Sequence, residues 1–140
     1  TCIFALNKRM IHLKPDGIHT VAMLTSLERF REMKTMYVEL LSAREVLDMP
    51  GMVVYEMPNQ IIVELYTEIA DTPDYLFKSQ KIVLGFRTEH IEELYKQMQK
   101  DGYEMLSQIQ QAGECYSYFH YLSPDQQVYL ISQLNKQSHH

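Results

Sequence analysis

The sequence predicts an α+β domain made of two βαβββ modules that follow one another in the chain. Three observations predict it: two amphipathic helical patterns, one strand pattern before and three strand patterns after each of them, and landmarks that recur in the same order in both halves. With 140 residues, the chain is long enough to bury a substantial hydrophobic core within one domain.

The first module is predicted over residues 18–67. It opens with an apolar strand over 18–24, and a helix follows in which the apolar residues share one face at helical spacing. These residues are Leu27, Phe30, Met33, Tyr37, Leu40 and Leu41. Turn residues, Pro50-Gly51 and Pro58-Asn59, separate the apolar runs that come next. Those runs predict strands over 44–47, 52–57 and 61–67.

The second module is predicted over residues 81–133, after a linker over 68–80 that contains Pro73 and has mixed polarity. Its first strand covers 81–87. Its helix carries the stripe Ile91, Leu94, Tyr95 and Met98 and ends near Asp101-Gly102. Three further strands are predicted over 103–109, 116–122 and 127–132. The remaining segments are an N-terminal extension over 1–17 and a tail over 134–140, whose two final histidines are typical of a purification tag.

An internal repeat supports this division. Ile18 precedes Leu27 by the same offset as Ile82 precedes Ile91, and Pro58 precedes Glu64 by the same offset as Pro124 precedes Leu130. The alternative is a ferredoxin-like βαββαβ fold, which places two strands between its helices. Four strand patterns separate the helices in this sequence, so the ferredoxin-like fold is the second choice.

Composition excludes several classes of function. The formal net charge is -5 and no basic stripe is visible, which argues against nucleic acid or an anionic membrane surface as a partner. No apolar run is long enough to span a bilayer. The two cysteines, Cys2 and Cys115, form no framework and no CxxC pair, so we expect free thiols in the cytoplasm.

Several short motifs together resemble the vicinal oxygen chelate superfamily, which includes glyoxalase I, the extradiol dioxygenases and the bleomycin-resistance proteins. The motifs are Ile18-His19-Thr20-Val21, Val63-Glu64-Leu65, Gly85-Phe86-Arg87 and Ser123-Pro124-Asp125-Gln126-Gln127. The resemblance covers roughly residues 17–133. It implies that each module is a curled sheet with its helix on the convex side, and that the two sheets form a cup, as in the glyoxalase/bleomycin-resistance fold.

The resemblance also implies where a divalent metal would bind. Enzymes of the superfamily take ligands from the first and last strand of each module, and His19 and Glu64 stand at the two positions of the first module. Val83 and Leu130 stand at the corresponding positions of the second module, and neither side chain can bind a metal. A catalytic zinc site uses three protein ligands, so only a half-site is expected, and no metal cofactor is the first expectation.

Strand alternation selects further candidates. Glu64 and Tyr66 should share the face of their strand that does not pack on the helix, and a partly desolvated Glu64 would suit a general base. A solvated Glu64, or one hydrogen-bonded to tyrosines, is the alternative. Arg87 should also face the cup and would favour an anionic ligand, unless it simply lies in solvent. Tyr116, Tyr118 and His120 share one face of their strand, although the sequence leaves open whether that face lines the cup. If it does, Tyr118 and His120 are candidates to bind the ligand, together with Tyr66 and Arg87.

Three functions follow from these observations. The first is binding of a small organic molecule, anionic if Arg87 contacts it, in a cup whose metal site is degenerate. The second is a metal-dependent lyase, isomerase or dioxygenase with a divergent site, in which Glu64 is catalytic and His19 is a ligand. The third is an interaction module that binds no ligand. The superfamily resemblance additionally implies a homodimer.

Overall fold

The elements form in nearly the predicted order in a computed structural model that describes residues 15–135. Within this range the chain divides into two units, Ile18–Gly85 and a second unit that comprises residues 86–135 together with 15–17. The predicted N-terminal extension and C-terminal tail, with Cys2, lie largely outside the described residues. No helix among those described is long and apolar enough to cross a membrane.

The first unit contains strands β1 to β4, most of β5, and the first helix. The bounds are β1 Ile18–Leu24, β2 Arg44–Met49, β3 Met52–Glu56, β4 Ile62–Tyr66 and β5 Ile82–Arg87. Strand β4 lies between β1, which it pairs with in parallel, and β3, which it pairs with antiparallel. The sequence of β4 alternates between one fully apolar set and one mixed set, and each set occupies one face of the sheet.

The sequence predicts one continuous first helix, but in the structure this part of the chain consists of three short helical segments of different types. A short 3-10 turn, Leu27–Arg29, leads into helix α1, Phe30–Thr35, and a wider π turn, Met36–Leu40, follows. The π turn contains Tyr37, whose ring stacks on that of Tyr55 in β3 with centroids 5.4 Å apart. The core of this unit lies between the helix and the apolar face of β3 and β4.

The second unit contains the end of β5, helix α2 and the last four strands. Helix α2 is Ile91–Lys100, and the strands are β6 Glu104–Met105, β7 Gln110–Ala112, β8 Tyr116–Leu122 and β9 Val128–Leu134. Strands β8 and β9 pair antiparallel over their full length. Helix α2 packs its buried residues on Phe119 and Ile131, and the backbone N–H of Ile91 donates to Gln133 Oε1 at 2.8 Å, which caps the helix start.

The strand predicted over 103–109 is only partly observed, because β6 ends at Met105 and the next strand, β7, begins at Gln110, after Ser107. Ser107 explains the interruption. Its hydroxyl accepts a hydrogen bond from the backbone N–H of His120 at 3.1 Å, and its carbonyl accepts one from the hydroxyl of Tyr95, also at 3.1 Å. The backbone N–H of Leu106 still donates to the His120 carbonyl at 3.0 Å, but the His120 N–H is bonded to a side chain instead of to a backbone carbonyl.

The predicted linker over 68–80 contains turns and bends but no regular strand or helix. It nevertheless contributes a buried side chain, Leu76. The boundary between the two units does not lie in this linker. It lies further along the chain, within β5 between Gly85 and Phe86. The module boundaries at 67 and 81 stay a prediction from the sequence.

Candidate functional site

The first unit has one sheet face that packs on its helix and one that does not. Val63 and Leu65 belong to the core against the helix, so the alternate residues of β4, Glu64 among them, lie on the opposite face. The register places Ala22 of β1 and Val54 of β3 beside Glu64. Both cross-strand neighbours of Glu64 are therefore aliphatic.

Glu64 and Tyr66 form a hydrogen-bonded pair on this face. The Tyr66 hydroxyl donates to Glu64 Oε1 at 2.9 Å, as expected for residues that point to the same side of a strand. Burial raises the pKa of Glu64, and the hydrogen bond from Tyr66 lowers it by less. Desolvation thus outweighs the hydrogen bond, and the neutral acid is more favoured here than in water.

The strand register does not bring His19 to Glu64. Met23 of β1 packs with Val63 and Leu65 against the helix, and Val21 pairs with Val63, so the odd-numbered residues of β1 lie on the helix side. His19 belongs to that set. The two residues predicted to form a metal half-site therefore lie on opposite faces of the sheet.

In the second unit, the helix side of β8 is taken by Phe119 and Tyr121, which belong to the core cluster with α2. Tyr116, Tyr118 and His120 accordingly share the other face. The rings of Tyr118 and His120 meet edge to face, with centroids 5.7 Å apart. The sequence left the orientation of this set open, and the packing of its alternate residues decides it.

Burial lowers the pKa of His120 to about 4. The side chain is buried, with 7% of its surface exposed. Its imidazole is therefore neutral at physiological pH, and in that form one ring nitrogen donates a hydrogen bond while the other accepts one.

Arg87 lies on the same side of the second unit as the tyrosines. Its neighbour Phe86 packs into the core with α2. Arg87 Nη2 donates to the hydroxyl of Tyr116 at 3.1 Å, and its guanidinium carbon lies 5.8 Å from the centroid of that ring. Strand alternation predicted Tyr116 on the face of Tyr118 and His120, but Tyr116 was not among the predicted ligand-binding residues.

Ser132 is a second site residue that the sequence did not indicate. It pairs with Tyr118 across β8 and β9 and is fully buried. Its backbone carbonyl accepts a hydrogen bond from the N–H of Thr88 at 2.9 Å, so the end of β5 lies beside it. A serine in an apolar strand carries no pattern that distinguishes it, because serine is common in strands and turns alike.

Glu64→Gln is expected to alter the pH dependence of stability. Because burial raises the folded-state pKa of Glu64, the folded protein binds this proton more tightly than the unfolded chain does. The resulting stabilisation is full below the unfolded pKa, near 4.5, and is lost as pH rises through the folded pKa. The variant lacks this loss, so its stability relative to the unmodified protein should increase from acid to neutral pH, by about 1.4 kcal/mol per unit of raised pKa.

Urea unfolding of both proteins across that pH range measures this difference. Glu28→Gln, which changes an exposed glutamate in the same unit, is the matched control. If Glu64→Gln shows no more pH dependence than the control, the carboxyl of Glu64 is not desolvated.

The residues at the predicted metal positions do not fit a metal ion. Val83 and Leu130 have no donor atom, and His19 faces away from Glu64. Over residues 15–135, no three His, Cys, Asp or Glu side chains are close enough together to hold a metal.

Comparisons with known proteins give information on the fold. No protein-family model matches this sequence, and no curated protein matches it. Solved structures do match. A hypothetical protein from Bacillus halodurans C-125 has a TM-score of 0.65 at 13% identity, with 89% of this chain and 98% of that chain covered. A glyoxalase/bleomycin resistance protein/dioxygenase superfamily member from Vibrio splendidus 12B01 has a TM-score of 0.59 at 13% identity, with 84% and 99% covered.

Methylmalonyl-CoA epimerase from Mycobacterium tuberculosis is also similar, with a TM-score of 0.66 at 10% identity over 87% of this chain and 90% of that chain. The structure thus has the fold of the glyoxalase/bleomycin resistance/dioxygenase superfamily, and the predicted fold class is confirmed. At these identities the likeness concerns the fold alone.

Proposed function

We propose that this chain binds a small organic molecule on the sheet face of the second unit that lies opposite helix α2, without a resident metal. The observation that carries the proposal is the alignment of Tyr116, Tyr118 and His120 on this face, with Arg87 bonded to the first of them. Aromatic rings supply apolar contact area, while their hydroxyl and imidazole groups orient a ligand.

The chemistry of this face favours binding over proton transfer. His120 is held neutral by burial, and the hydroxyl of Tyr118 lies 3.5 Å from Gln110 Oε1, at the limit of a hydrogen bond. Both side chains can exchange hydrogen bonds with a polar ligand without a change of charge. Such a face suits a flat ligand with one or two polar groups.

A metal-dependent lyase, isomerase or dioxygenase is the second candidate function. One observation favours it: Glu64 has a pKa raised by burial, which is a common property of catalytic carboxyl groups. The donor set described above does not support the metal that such an enzyme would use. Homodimer formation, a location in the cytoplasm and the absence of nucleic-acid or membrane partners also stay predictions.

A thermal-shift screen of small aromatic compounds tests the binding proposal. A compound at a hundredfold excess over its dissociation constant should stabilise the protein by about 2.7 kcal/mol. Tyr118→Ala should remove that stabilisation. Tyr103→Ala, which changes a tyrosine that contacts Tyr121 on the helix side, should retain it. If no compound stabilises the protein, or if both variants respond equally, the proposed face is not the binding site.

The same thermal-shift assay distinguishes the metalloenzyme from the proposed binding function. The chelator-treated chain without His139 and His140 is titrated with Ni, Zn, Mn, Fe(II) and Mg ions, and we expect no change in melting temperature. A stabilisation that disappears in Glu64→Ala would instead support a metalloenzyme.

A further inference from the structure

Arg87 forms no ion pair within the described part of the second unit. The acidic residue Asp16 of that unit lies beside it in the chain pairing, where the backbone N–H of Asp16 donates to the Arg87 carbonyl at 2.7 Å. The four ion pairs formed among residues 15–135 all involve other cations. The Nε atom of Arg87 is enclosed and has no hydrogen-bond acceptor among those residues.

Strands β8 and β9 of the second unit provide no counter-ion for Arg87. Strand β8 has the sequence Tyr-Ser-Tyr-Phe-His-Tyr-Leu and β9 has Val-Tyr-Leu-Ile-Ser-Gln-Leu, so neither contains an acidic residue. A partly buried cation that lacks a counter-ion costs free energy, and an anion bound beside it recovers part of that cost.

The groups around Arg87 are hydrogen-bond donors. The Tyr116 oxygen accepts from Arg87 Nη2 at 3.1 Å, which leaves the hydroxyl proton of Tyr116 directed away from the guanidinium. The Oγ atom of Ser132, beside the end of β5, is buried without a hydrogen-bond partner in the described residues. Arg87 and Tyr116 therefore place N–H groups and an O–H group next to one another, the kinds of donor that bind planar anions.

We propose that Arg87 and Tyr116 bind the carboxylate of the ligand, so that the ligand is an organic monocarboxylate whose flat body contacts Tyr118 and His120. This inference rests on the binding function proposed above and adds the chemical class of the ligand. The planar fork of one arginine matches the two oxygens of a carboxylate. A phosphate dianion would call for further cations, and neither β8 nor β9 contains a lysine or an arginine.

Matched pairs of compounds test the inference. Benzoate, 4-hydroxybenzoate and phenylacetate are titrated by calorimetry beside their carboxamides, which keep the shape and lose the charge, and phenylphosphonate is the dianion. We expect at least one carboxylate to bind at least tenfold more tightly than its amide. Phenylphosphonate should bind no more tightly than benzoate.

Variants locate the contact. Arg87→Gln and Tyr116→Phe should each weaken the bound carboxylate at least tenfold, and Arg87→Lys should weaken it less than Arg87→Gln because it keeps the charge without the fork. Arg44→Gln is the control, since Arg44 pairs with Glu56 in the first unit. If Arg87→Gln does not fold, as judged by circular dichroism, Arg87→Lys and Tyr116→Phe carry the test.

Two failures are distinguishable. If carboxylates and carboxamides bind equally, or if the Arg87 and Tyr116 variants bind carboxylates as the unmodified protein does, the ligand class is overturned. The ligand class is also overturned if neutral compounds from the screen bind and no carboxylate does. In that case the proposed binding function is still supported. If no compound of either set binds, the proposed function itself fails.

Discussion

Phe119→Ala lowers the free energy of unfolding by about 3–5 kcal/mol, the range observed when a buried phenylalanine is truncated. Phe119 has no exposed surface. Its ring meets that of Tyr95 edge to face, with centroids 4.9 Å apart, and it packs against Ile131 in the core under α2. Truncation removes these contacts and leaves a cavity that the paired strands cannot close.

This loss would also reach the candidate site. Phe119 lies between Tyr118 and His120 in β8, and its burial holds their side chains on the opposite face. Urea unfolding measures the change in stability, and the melting temperature should fall by about 10–20 °C. Leu134→Ala in the neighbouring strand is the control, because Leu134 is 53% exposed. A loss no larger than that of the control would contradict the described core.

Gly51→Ala is expected to cost about 2–4 kcal/mol, combining the penalty of a left-handed backbone with that of overpacking. Gly51 has a φ of 78° in the two-residue turn between β2 and β3. A Cβ atom there would lie 2.5 Å from Ile69 Cγ1 and 3.2 Å from the backbone nitrogen of Ala70. The second contact involves backbone, so a side-chain rotation cannot relieve it.

The turn at Gly51 also holds the end of β4. The Gly51 carbonyl accepts hydrogen bonds from the backbone N–H of Thr67 at 2.9 Å and from its hydroxyl at 2.8 Å, directly after Tyr66. Gly102→Ala is the control, because Gly102 has a φ of 92° and a Cβ atom there meets nothing within 4 Å. Equal losses in the two variants, measured by urea unfolding, would show that crowding at Gly51 is absent.

The elements of the fold could largely be predicted from local pattern. Period-two and period-3.6 hydrophobicity located β8 with its observed bounds and placed α2 correctly. The strand predicted over 103–109 is observed only over Glu104–Met105, because Ser107 accepts hydrogen bonds from the His120 N–H and the Tyr95 hydroxyl. Those partners are distant in sequence, so no local window contains them.

The candidate site was predictable one strand at a time. Alternation correctly put Glu64 and Tyr66 on one face of β4, and the hydrogen bond between them follows from that shared face. The relation of His19 to Glu64 could not be derived in this way, because it depends on the pairing register of β1 and β4. A slip of one residue reverses which side chains face the helix.

By itself, the sequence determined the fold class and most of the order of the strands and helices, which follow from periodicity, a local property. The four expected metal positions were implied by the resemblance to the vicinal oxygen chelate superfamily, and the sequence places aliphatic residues at two of them. Only the tertiary structure decided that Tyr116, Tyr118 and His120 share the face opposite α2, and that Arg87 bonds to Tyr116. The physical reason is that a strand has two equivalent faces until a helix packs on one of them.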